Sequence, residues 1–194
     1  MPPKIKITKS EIINTAVNLV RNNGEQAINA RSIASALGCS TQPVFSNFAT
    51  MDDLRMAVKD AAYEQYQSYL AADMASGRFP PYKASGMAYI RFAREERELF
   101  RLLFMCDRSQ EVIAEDRESI RPLLQIIQKN MGIDEDKAFL FHLETWVYVH
   151  GIATMIATCY LNWDEEMVSK MLTDAYTGMK YRYTEGKEND SNSN

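Results

Sequence analysis

The stretch GCSTQPVFSNFATMDDL, residues 38–54, decides how the chain is read. Gly38 closes one apolar stripe. Ser40 can cap the helix that follows, and Pro43 falls in its first turn, where the missing N–H costs little. Val44 and Phe48 are four residues apart and face inward together. Thr41, Gln42, Ser46 and Asn47 are left outside. A helix this short buries two side chains, so its polar outer face is expected to serve contact rather than packing.

Upstream, Thr8-Lys9-Ser10-Glu11 reads as a capping box, in which hydroxyl and carboxylate each satisfy an amide of the first turn. Ile12, Ala16, Leu19 and Val20 recur at helical spacing, and Gly24 stops the helix, giving a first helix over about 8–23. Asn29 caps a second helix striped by Ile33, Ala34 and Leu37. Two helices joined by a short turn containing Gly, the second one short and polar, form a helix-turn-helix. The second helix of that motif fits the major groove, where its first exposed side chains reach base edges. Gln and Asn pair with adenine through two hydrogen bonds, and Ser and Thr reach several bases.

Downstream, a second capping box, Thr50-Met51-Asp52-Asp53, opens a long helix through Leu54, Val58 and Ala62 to about Met74. SGRFPPYKASG, 76–86, breaks it. Helical stretches follow near 83–96, 98–106, 109–131, 135–161 and 164–183, with Pro122 kinking or splitting the third of these. The tail 184–194 is polar and free of aromatics, which predicts disorder. No segment alternates as a strand does. The expectation is an all-α fold of about nine helices. A three-helix helix-turn-helix DNA-binding domain spans 1–50, and a helical bundle for ligand binding and dimerisation spans 51–183.

Composition agrees. Of 194 residues 46% are apolar and 25% charged, with 11 Met but only 8 Gly and 6 Pro, the balance of a helical protein with a real core. Residues 1–60 carry seven Lys/Arg against five Asp/Glu, a net +2, while 61–194 carry 15 against 21, a net −6. Attraction for phosphates is thereby confined to one end. No apolar run approaches the ~20 residues of a membrane span, and MPPKIKITKSEII has no apolar signal core. Cys39, Cys106 and Cys159 form neither a disulfide framework nor a zinc pattern. A cytoplasmic protein with no membrane partner is expected.

Residues 5–60 resemble the N-terminal domain of the TetR family of bacterial transcriptional regulators. The likeness runs through Ile12, Ala16, Gly24, Arg31-Ser32-Ile33-Ala34, Leu37-Gly38-Cys39-Ser40, Val44-Phe45-Ser46-Asn47-Phe48 and Leu54. It implies that Asn29 and Arg31 hold phosphates and that Ser40, Thr41, Gln42, Phe45, Ser46 and Asn47 face double-stranded DNA. Two positions depart from the pattern. Phe45 stands where the family usually has tyrosine, whose hydroxyl bonds a phosphate, and Met51 stands where it usually has lysine. Each lost phosphate contact removes roughly 0.9 from the salt slope of binding. A shallow dependence follows, offset by Lys4, Lys6 and Lys9.

The body is read with the same resemblance. LETWVYVHGIATMIATCYL, 143–161, resembles the Trp–His–Gly pattern of one TetR subgroup at Trp146, His150 and Gly151. That helix is apolar nearly all round and must be covered on most sides. Small residues let another helix approach, so a two-fold homodimer is expected through Gly151, Thr154, Met155 and Thr158, with Val168, Met171 and Ala175 from the last helix. Two reading helices related by a two-fold axis read half-sites about 34–36 Å apart, hence a palindromic operator. Tyr89, Phe92, Phe100, Phe104, Met105, Trp146 and His150 read either as core or as candidate ligand contacts in an apolar pocket. The family implies a small-molecule inducer there, which would move the fourth helix like a lever. Repression is the family default.

His142 and His150 lie eight apart, ~12 Å along a helix, too far to share one metal. Each is expected to be a buried histidine with its own hydrogen-bond partner. No Gly-rich phosphate loop, Gly-x-Ser-x-Gly elbow or His-Glu-x-x-His occurs. REERE, 94–98, reads as a solvated face. No enzyme, metal or cofactor is expected. The alternative reading is a helical ligand-binding or protein-interaction module with little DNA affinity.

Overall fold

The structure, a computed structural model, describes residues 7–107 and 117–184. The fold is all-α. Among the described residues there are nine α-helices, one 3-10 turn and no strand. The helices are α1 Lys9–Asn23, α2 Ala30–Ala36, α3 Gln42–Asn47, α4 Met51–Ala75, α5 Pro81–Glu95, α6 Arg97–Phe104, α7 Arg121–Met131, α8 Glu135–Ala157 and α9 Glu165–Thr184.

Local chemistry sets most of these ends. The Thr8 Oγ1 accepts from the Glu11 amide at 3.2 Å while the Glu11 carboxylate accepts from the Thr8 amide at 2.7 Å. The bonds from the Thr8 amide and hydroxyl to the Glu11 carboxylate hold that carboxyl below its ordinary pKa. Thr50 and Asp53 make the same reciprocal pair at the head of α4, at 2.9 and 3.0 Å. Asp134 caps α8 through the Lys137 amide.

One short turn and two helix ends differ from expectation. A 3-10 turn at Glu25–Ala27 follows α1 and buries Ala27. Within the stretch expected to be helical over 109–131, α7 starts at Arg121 with Pro122 in its first turn. Residues 117–120 form a turn, and 108–116 lie outside the described residues. α8 stops at Ala157, short of 161. There Thr158 Oγ1 donates to the Thr154 carbonyl, the Tyr160 amide donates to the Met155 carbonyl, and Cys159 takes a left-handed φ of 57°. The tail expected to be disordered lies, beyond Thr184, outside the described residues.

The described residues group into two compact units. The first holds the residues up to Ser68 together with Glu95–Cys106. In it α1 packs on α2, α3 and α6, with Ile12, Val20, Ile33, Val44, Leu54, Leu99 and Phe100 fully buried. Arg21 ties three of its helices. Its guanidinium donates at 2.7 Å to each of Asn18 on α1, Gln65 on α4 and Glu96 at the head of α6. The first unit is therefore larger than residues 1–50, because α6 supplies apolar cover for α1.

The second unit holds Tyr69–Arg94 and the described residues from Asp107 on. Its core gathers Tyr82, Leu124, Ile127, Met131, Ala138, Phe139 and Phe141, with Tyr176, Met179 and Tyr183 of α9 packed against them. Gly86 is a close-approach glycine. A Cβ there would lie 3.3 Å from Leu172 and 3.4 Å from Val149, so α5 meets α8 and α9 where a side chain would press. Arg94 holds the α8–α9 connection by donating to the Trp163 carbonyl and to Asn162 Oδ1.

Candidate functional site

The α2–turn–α3 segment is built from a short list of parts. Asn29 Oδ1 accepts from the Ser32 amide at 2.9 Å, starting α2. Ile33 and Ala34 turn inward. Gly38 then adopts φ 65°. A Cβ there would meet nothing within 4 Å, so the backbone angle is what favours glycine. The Cys39 amide closes the turn on the Ala34 carbonyl at 3.0 Å. α3 follows at once, with Val44 and Phe48 buried as its inner face.

The outer face departs in detail from expectation. The cap position of α3 is Thr41 rather than Ser40, and no side chain caps it. The Ser40, Thr41 and Gln42 side chains therefore carry polar groups not spent on the helix. Further along, Ser46 Oγ donates to the Gln42 carbonyl at 2.9 Å and Asn47 Nδ2 donates to the Pro43 carbonyl at 2.8 Å. Expected to face bases, these two spend their donors on α3 itself, because small polar side chains near a helix end find carbonyls four residues back. Asn29 is also committed. Its oxygen caps α2 and its amide nitrogen points to the Gln26 and Ala27 carbonyls. Its place is to position α2, while Arg31, two residues on, is exposed. Phe45 is 58% exposed. Lys9 Nζ lies 5.0 Å from the Phe48 ring centroid. Lys4 and Lys6 lie outside the described residues.

The candidate ligand contacts fall in two groups. In the second unit, Tyr89 Oη lies 2.9 Å from His150 Nδ1, and Trp146 stacks on the His150 ring with centroids 5.0 Å apart. Phe92 of the same unit is fully buried, edge-on to Tyr69, so it is core. Phe100, Phe104 and Met105 belong to the first unit. There Phe100 and Phe104 pack at 5.3 Å, Phe104 meets Tyr66 edge-on, and Met105 is exposed. Thus Tyr89, Trp146 and His150 come together in the second unit.

Both histidines have phenol partners, as the sequence suggested without naming them. Tyr82 Oη lies 3.1 Å from His142 Nδ1, so residues seven apart on α5 answer residues eight apart on α8. Burial holds both imidazoles below their ordinary value of 6.5. The folded state therefore binds fewer protons than the unfolded one just below that value. Stability should be full above about pH 6.5 and fall as pH drops below it. Thermal melts at pH 7.5 and 5.5 are expected to show a lower Tm in acid, and His142→Gln should flatten the difference. An unchanged difference would mean that other groups carry it.

Among the candidate dimer residues, Gly151, Thr154, Met155 and Thr158 lie on the α8 side that also exposes Leu140 and Val147. Thr154 Oγ1 is buried without a hydrogen-bond partner. Val168 is a correction. It is 1% exposed, turned into its own chain with Leu172, because the α9 stripe that packs on the core includes 168, 172, 176, 179 and 183. Met171 and Ala175 are half-buried at the edge of that stripe, while Met167 and Tyr181 are the exposed apolar residues of α9. Among the described residues no three His, Cys, Asp or Glu side chains gather to hold an ion, and no helix is long and apolar enough to cross a membrane.

Residues 82–176 match the family model described as "Tetracyclin repressor-like, C-terminal domain". A TetR-like transcriptional regulator from Rhodococcus sp. RHA1 is similar in structure, with a TM-score of 0.62 at 14% identity over 94% of this chain and 97% of that one. A TetR family member from Streptomyces coelicolor gives 0.58 at 18% identity over 86% of this chain and 96% of that one. At such identities the likeness to these two is one of fold. No curated protein matches in sequence. Residues 82–176 are thus similar to a tetracycline-repressor-like C-terminal domain, and the all-helical fold as a whole is similar to that of TetR-like transcriptional regulators.

Proposed function

We propose that the protein is a homodimeric, cytoplasmic DNA-binding regulator, a repressor released from a palindromic operator by a small apolar or aromatic ligand. The observation that carries the reading is the outer face of α3 and its neighbour. No side chain caps α3, Ser40 and Gln42 are exposed at that end, and Arg31 is exposed at the start of α2. Such a face fits a major groove, with the guanidinium on a phosphate. The ligand reading is supported by the Tyr89–His150–Trp146 group, which combines aromatic surface with a polar pair. Thr154 Oγ1 is a further polar group left for a ligand or a second copy to satisfy.

A gel shift with the DNA upstream of the coding region tests this. Retardation is expected at low salt. Gln42→Ala should change preference at one base pair per half-site, by roughly 1–3 kcal/mol. Arg31→Ala should weaken binding to all sequences alike and lower the salt slope by about 0.9 per phosphate lost. If both substitutions shift preference equally, the division of roles is wrong. Absence of any retardation would favour the second reading, a helical ligand-binding or protein-interaction module. Phe45 and Met51, each without a phosphate contact to offer, are the residues that favour it.

A further inference from the structure

Phe45 is the one large apolar side chain that α3 exposes. Resting on the DNA-binding reading above, we propose that Phe45 reads thymine through its 5-methyl group. Each half-site would then hold an adenine paired by Gln42 beside a base pair whose thymine methyl packs on the Phe45 ring.

Phenylalanine offers neither donor nor acceptor, so it can bond neither a phosphate oxygen nor a base edge. What remains in a major groove is apolar contact, and the thymine methyl is the apolar group displayed there. Wedging between bases belongs to minor-groove binders, whereas a one-and-a-half-turn helix in a helix-turn-helix enters the major groove. Position agrees. Gln42 and Phe45 are three apart on α3, on one face, with Cβ atoms ~5–6 Å from each other, so they reach neighbouring base pairs. The remaining candidates on the helix are preoccupied, since Ser46 and Asn47 donate to the Gln42 and Pro43 carbonyls. Gln42 and Phe45 are thus the long side chains left free on α3, one polar and one apolar.

The probe is a library of random duplexes selected on the full-length protein. The enriched duplex is then remade with deoxyuridine in place of every thymidine, which deletes the methyl groups and keeps all hydrogen-bonding edges. The wild-type protein is expected to bind the uracil duplex more weakly, by roughly fourfold per half-site, the worth of one buried methyl. Phe45→Ala should bind both duplexes alike while still enriching adenine at the Gln42 position. Phe45→Leu should keep much of the discrimination. Because the ring is exposed, neither change should alter the helical circular dichroism. Equal wild-type affinity for the two duplexes overturns the proposal, as does a Phe45→Ala protein that still discriminates between them. Uniform loss of binding in Phe45→Ala would place the ring on the sugar-phosphate backbone instead and overturn it too. If the wild type enriches nothing, the DNA-binding reading itself fails, an outcome distinct from all of these.

Discussion

Val147→Asp is expected to give a folded monomer whose affinity for operator DNA is lower by roughly 10²–10⁴-fold, the worth of linking two half-site contacts in one molecule. Val147 is 63% exposed, mid-way along α8, with Leu140 one heptad before it and Gly151 and Met155 following on the same side. Large apolar side chains gathered on one face, beside a glycine, suit the contact of the homodimer proposed above. The contact belongs to the proposed homodimer, and two copies meeting there would bury the stripe against itself. A carboxylate in the middle would be desolvated without a partner, which costs several kcal/mol twice over. Inside one chain it costs little, because the position is already in water. Sedimentation at micromolar concentration reads the outcome directly. A Val147→Asp protein that remains dimeric would remove this face from the account. A monomer with undiminished operator affinity would remove the link between pairing and reading.

Phe141→Ala is expected to destabilise the second unit by about 3–5 kcal/mol, and to lower Tm by roughly 10 °C for a chain of this size. Phe141 is fully buried. Its ring meets Tyr176 and Tyr183 edge-on at 5.5 Å and Tyr82 at 6.1 Å, so one side chain joins α5, α8 and α9. The cavity left by alanine has phenol rings on its walls that are themselves held. Tyr82 is bonded to His142 and Tyr183 to Glu144, which limits collapse and places the cost high in the range. Burial also pushes the Tyr82 hydroxyl far above its ordinary pKa, so no ionised form relieves the site. A thermal or urea melt decides. A loss under ~1 kcal/mol would show that this cluster does not hold the second unit together.

How much of this was legible in the residues depends on the distance over which each feature is decided. Thr8 with Glu11 and Thr50 with Asp53 act across three residues, and the structure forms both boxes. Val44 and Phe48 are read as the inner face of α3 for the same reason. The place of α6 was not legible. Its membership in the first unit rests on contacts such as Arg21 with Glu96, 75 residues apart, and no local pattern announces them. Side-chain choices were half legible. Ser46 and Asn47 have the right chemistry for bases but can equally bond carbonyls four residues back, and in the free protein they do. On α9 two apolar stripes overlap, and only packing decides that Val168 turns in while Met167 turns out. The histidines were expected to find partners. That both partners are tyrosines of α5 needed the fold, because 60 and 61 residues separate the pairs.

The central claim is that α3 enters the major groove of a duplex at two equivalent places. Hydroxyl-radical footprinting of the selected duplex tests it most directly. The account predicts two protected tracts with centres about 10 base pairs apart, both lost when Thr41 and Gln42 are replaced by alanine. A single tract, or two tracts that persist unchanged in the doubly substituted protein, would contradict it.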